Sequence, residues 1–253
     1  MWAFCLNSLF REYGWLFFRR MALPHPVKTA KAFLASGAID PSPGVIDVPA
    51  AGRGEGLEGG RSVVGVGFCL KPMDPPCPSG RANHDCMYLE NLAGAEAPDA
   101  HLACRECTIR EIGTEALRSG AAFYVMTSAK DILLDVFAPA LDERRFSAGV
   151  FVLCRYSLRP FSVGLLASGM RGRLFTFESG DCRDYRTWLQ ADRGIKDEQT
   201  AIADGDRELL MGLLGGAAAG PTPGARFVRE GNIFYAEEPA GTTESRCRGG
   251  AAR

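Results

Sequence analysis

The stretch CLKPMDPPCPSGRANHDCMYLE, Cys69 to Glu90, places three cysteines, four prolines and one of the chain's three histidines within 22 residues. ACRECTIREIG follows, carrying Cys104 and Cys107 as a C-x-x-C, and two further cysteines, Cys154 and Cys182, lie downstream. Thiols at such spacings can be structural bridges, metal ligands or nucleophiles. The thiolate is the form that binds metal and attacks. Cys104 and Cys107 stand immediately before a predicted helix, whose unpaired N–H groups and positive dipole end favour a negative sulfur. A C-x-x-C lets two sulfurs reach one centre from one turn, as in zinc and iron–sulfur sites. Zinc commonly takes two close pairs, and only one close pair exists here. Iron–sulfur clusters accept wide, loop-borne spacings, and seven cysteines exceed the needs of one zinc ion. The expectation is therefore an iron–sulfur cluster, with zinc as the alternative. Its first-choice ligands are Cys69, Cys77, Cys86, Cys104 and Cys107, and the next candidates are Cys154 and Cys182. Cys5 and Cys247 are read as incidental.

Bridges are the weaker reading because of the compartment the chain suggests. No basic region followed by a small-residue cleavage site opens it. In MWAFCLNSLFREYGWLFFRR the charges Arg11, Glu12, Arg19 and Arg20 break the apolar runs well short of a membrane span. A cytoplasmic location is expected, where thiols stay reduced. The net charge of −1 gives no general pull toward nucleic acid. His84 and His101 lie among the cysteines as possible ligands or proton carriers, or as plain loop histidines. Asp74, Asp85 and Asp181 can orient ligands or cap turns. Arg155 and Arg183, each directly after a cysteine, are candidates to bind an anionic cofactor or substrate. No Walker-type phosphate loop, H-E-x-x-H or G-x-S-x-G occurs.

These residues need elements to hold them. RSVVGVGF, 61–68, reads as a strand running into Cys69. TIREIGTEALRS reads as a helix stopped by Gly120, and AAFYVMT, 121–127, as a strand. Ser128 caps the next helix, and AGVFVLC, 148–154, is an apolar run suited to a buried parallel strand. A short helix over 161–169, a strand at 172–179 and a helix from Tyr185 complete the alternation. The pattern predicts an α/β fold: an open, mostly parallel sheet with helices on both faces and a long cysteine-rich loop. Ligand sites in such sheets gather at the carboxyl ends of the strands, so Cys154 and Cys182 are expected on one edge. The chain divides into an N-terminal aromatic helical segment (1–40), a Pro/Gly-rich linker (41–60), the cysteine-rich α/β domain (61–215), and a C-terminal hairpin with a flexible tail (216–253). The aromatic helix packs on the domain or docks a partner.

ACRECTIREIG with its helix, AAFYVMTSAKDIL, VFVLCRYSL and a cysteine after the next strand resemble the prokaryotic family called domain of unknown function 116. The likeness runs from Cys69 into the 190s. It implies a metal- or cluster-binding α/β domain and marks Cys104, Cys107, Cys154 and Cys182. The long loop 69–86, the entry GMRGRLFTF and the N-terminal helix depart from the family pattern. Together these readings predict an iron–sulfur protein with an electron-transfer or accessory redox role and a redox partner protein. The alternatives are a cysteine-dependent enzyme acting on a small anionic substrate at the sheet edge, and a zinc-stabilised binding module.

Overall fold

A computed structural model describes residues 13–39, 44–48, 61–90, 101–215 and 226–237. Cys5, Cys247, the first half of the aromatic segment and the tail beyond 237 lie outside the described residues. Seven strands form one sheet: β1 (Val45–Val48), β2 (Ser62–Gly67), β3 (Ala122–Met126), β4 (Ala148–Leu153), β5 (Arg171–Thr176), β6 (Arg226–Glu230) and β7 (Ile233–Glu237). Their order is β1-β5-β4-β2-β3-β7-β6. The central four, β5-β4-β2-β3, are parallel, while β1 and the β6–β7 hairpin join the two sides antiparallel. The fold is α/β with an open, mixed, mostly parallel sheet.

Strands β3 and β4 form where the sequence is an unbroken run of aliphatic and aromatic residues, whereas β5 carries Arg171 and Arg173. All five residues of β3 and all six of β4 are buried, as a strand covered on both faces requires. The faces separate by register. Val64, Phe123 and Val150 share one face, and Phe123 meets helix α4 (Thr108–Arg118) at Gly113. Gly65, Tyr124 and Phe151 share the other. There Phe151 packs edge-on against Phe161 of helix α7 (Leu158–Ser168), and the Tyr124 hydroxyl donates to Asp135. Asp135 belongs to a π-helical turn, Leu133–Phe137, between α5 (Ala129–Ile132) and α6 (Ala138–Asp142). Helix α1 (Pro26–Ser36) packs on α7, and α9 (Asp204–Gly215) on α4.

Two strands arise where periodicity is weak. Val45–Val48, within the stretch read as a linker, pairs with β5, and Asp47 accepts from Arg173 Nε at 2.6 Å. The hairpin turns at Gly231, φ 61, a left-handed conformation that favours glycine. Its strand β7 is stitched to β3. Among the described residues no helix is long and apolar enough to cross a membrane.

The chain runs from β2 to β3 on one side, then crosses back over β2 to β4 and on to β5. The direction of winding therefore reverses between β2 and β4. The carboxyl ends of these two strands flank the crevice in which α/β sheets bind ligands.

Candidate functional site

The fold sorts the seven described cysteines, all free thiols, into a group of four and a group of three. Cys77, Cys86, Cys104 and Cys107 line one enclosed chamber with Lys71 and Arg110. They arrive from three places: the proline-rich loop, the start of the short helix α2 (Met87–Glu90), and the helix α3 (Leu102–Arg105) with the turn after it. Cys107 is the N-cap residue of α4 and makes no side-chain capping bond. The backbone N–H groups of Arg110 and Ile109 favour the Cys107 thiolate, and that of Leu89 favours the Cys86 thiolate. Burial works the other way. It pushes Cys86 up to about 12 and raises Cys104 and Cys107, and neighbouring thiols add to the rise. Burial therefore favours the neutral thiol at Cys86, Cys104 and Cys107, and a metal cation bound to them would reverse that preference.

Lys71 is 1% exposed and sits against this chamber. Its ammonium donates to Gly80 O at 2.9 Å, Asn83 O at 3.0 Å and Asn83 Oδ1 at 2.5 Å, so three acceptors meet its three donors. Burial lowers its proton affinity, and Cys77, Cys86 and Asp85 raise it. Arg110 lies over the Tyr88 ring at 4.3 Å and donates to Cys104 O at 3.0 Å. Two cations thus flank four thiols. A third cation, Arg229, reaches from β6 to Asp85 at 2.7 Å and to Glu90 at 2.5 Å, tying down the segment that carries Cys86.

Cys69, Cys154 and Cys182 form the second group, at the carboxyl ends of β2, β4 and β5. All three line one cavity, and Cys69 interacts electrostatically with both others. Ser157 Oγ is 2.9 Å from Cys154 Sγ and accepts from Trp188 Nε1 at 2.7 Å. The Cys154 thiol and the Lys196 charge lower Cys182; burial raises Cys69, with Lys196 opposing. A cavity of about 90 Å³ opens beside the three sulfurs, walled by Phe68, Ile132, Phe137, Phe161, Phe177 and Trp188.

Arg155 does not face free solvent as a bare cation. Its Nε donates to Asp181 at 2.6 Å, and Asp181 is 7% exposed. Arg183 is exposed. His84 pins the cysteine loop to the end of β3: Nδ1 is 2.7 Å from Val125 O, and Nε2 is 3.1 Å from the Thr127 hydroxyl. His101 Nδ1 accepts from the Ala103 N–H and starts α3. Neither histidine lines the four-thiol chamber.

Sequence reasoning placed Cys69 with the loop cysteines, and the structure places it with the strand-end pair. It lies in the 3₁₀ turn Phe68–Leu70 directly after β2, so the strand-end rule that linked Cys154 and Cys182 applies to it as well. Lys71, Ser157, Trp188 and Lys196 carried no signal in the sequence. Each acquires its role only through contacts across long stretches of chain.

Among the described residues no three His, Cys, Asp or Glu side chains already stand as a ready-made ion site. What the four cysteines share is one small pocket with Lys71 and Arg110 in its wall. No family model, curated protein or solved structure matches the chain.

Proposed function

We propose that the protein is an iron–sulfur redox protein whose centre is held by Cys77, Cys86, Cys104 and Cys107. One observation carries this reading: cysteines from three separate chain segments line a single chamber beside the buried cation of Lys71. A four-thiolate centre is anionic, and Lys71 and Arg110 supply compensating charge where water cannot. The wide spacing of the ligands suits a cluster held by a loop better than a zinc ribbon. When bound, the cluster supplies one-electron chemistry. The chain's part would be to hold the four sulfurs and bury the site. In a reducing compartment these thiols stay available to the metal. The resemblance to the domain of unknown function 116 family agrees with this reading and adds no substrate.

Protein purified without oxygen should be brown, with a broad absorption near ~400 nm from sulfur-to-iron charge transfer and with iron and acid-labile sulfide in equal amounts. Colourless protein carrying one zinc ion per chain would replace the cluster with a structural zinc site. Colourless protein without metal would end both readings.

A second reading applies to the three-thiol group. Its lowered Cys182 beside an apolar cavity at the winding reversal supports thiol chemistry at the sheet edge.

A further inference from the structure

We infer that Cys182 and Cys154 are a redox-active dithiol that reduces a low-molecular-weight disulfide with an uncharged, apolar body, bound in the cavity above the strand ends. The two thiols interact with each other although their residues are 28 positions apart, 182 minus 154, in the segments that follow different strands. Both line the same cavity, and that cavity sits where the sheet reverses its winding. Its walls are mostly aromatic and aliphatic, and among the described residues the one charged side chain that lines it is the carboxylate of Asp192, so an uncharged guest fits it better than an anion. The volume of about 90 Å³ suits a small ring or a short chain, with the rest of the molecule outside the mouth.

The roles of the two sulfurs follow from their partners. The Cys154 thiol and the charge of Lys196 both lower Cys182, which favours its thiolate. Cys154 is packed against Ser157, whose hydroxyl is itself held by Trp188. The Cys182 thiolate attacks one sulfur of the bound disulfide, forming a mixed disulfide. The other half leaves as a thiolate and takes a proton from solvent. Cys154 then loses its proton and attacks the Cys182 sulfur, and the second half leaves with a proton. The sum is two protein thiols and one disulfide giving one protein disulfide and two small thiols. The substrate is the oxidant, and two electrons pass from the protein dithiol to it. The four chamber cysteines take no part, so this inference and the iron–sulfur reading stand or fall separately.

The test is a single turnover of the reduced full-length chain, freed of reductant without oxygen. The probe is 2,2′-dithiodipyridine, an uncharged aromatic disulfide, added at one equivalent. The wild type should release two thiopyridones per chain in one fast phase, and peptide mapping should find a Cys154–Cys182 disulfide. Cys182→Ser should slow release more than about tenfold. Cys154→Ser should release one thiopyridone and keep the other half on Cys182. The inference is overturned if the wild-type disulfide joins any other pair, Cys69 included, or if Cys182 reacts no faster than the remaining thiols. Mapping of the wild type decides this even if a variant fails to fold.

Discussion

Lys71 shows how one residue can join the folding of a loop to the chemistry of a site. A lysine this deeply buried is costly unless every donor is met. Here three carbonyl oxygens from Gly80 and Asn83 meet them, and the loop that carries Cys77 and Cys86 closes around the ammonium. Lys71→Met keeps most of the side-chain volume and strands those oxygens. Chemical denaturation should show a loss of about 1–3 kcal/mol, the usual cost of leaving buried acceptors unpaired. The same variant should lose its metal faster to a chelator, because charge that compensates the thiolates is gone. Unchanged stability would mean that the three carbonyls find other donors.

At the scale of elements, the sheet and the helix behind it make the edge on which the three thiols sit. Helix α7 follows β4 directly and lies close enough that a Cβ on Gly164 would stand 2.2 Å from the Phe137 ring. Phe137 in turn meets Phe161 edge-on, and both rings wall the cavity. Gly164→Val should therefore cost about 1–3 kcal/mol by overpacking, read as a lower midpoint of denaturation. It should leave the metal content unchanged, since the four-thiol chamber lies against α4, on the opposite face.

These elements were legible to different degrees, and the reason is physical. β3 and β4 announce themselves as unbroken apolar runs because both of their faces are covered. β1 is four residues in a Pro/Gly-rich setting and owes its form to pairing with β5, a partner more than a hundred residues away. The hairpin was legible from its turn residues, whereas its attachment to β3 was not. The same limit governs the cysteines. The C-x-x-C before a helix could be read locally, and Cys107 does stand at the N-cap position of α4. The division of the seven thiols into four and three depends on strand order, which no local pattern encodes.

Among the described residues the molecule is a sheet with free thiols grouped at two places: a pocket under the cysteine loop, and the edge at the winding reversal. Only the chamber is assigned the metal. The most direct test is metal content across seven single Cys→Ser variants, each purified without oxygen beside the wild type. Serine is a poor soft-metal ligand of nearly the same size. The variants at Cys77, Cys86, Cys104 and Cys107 should each lose most of the iron and sulfide, and those at Cys69, Cys154 and Cys182 should keep wild-type amounts. Loss of iron in the strand-end variants with retention in the chamber variants would contradict the account.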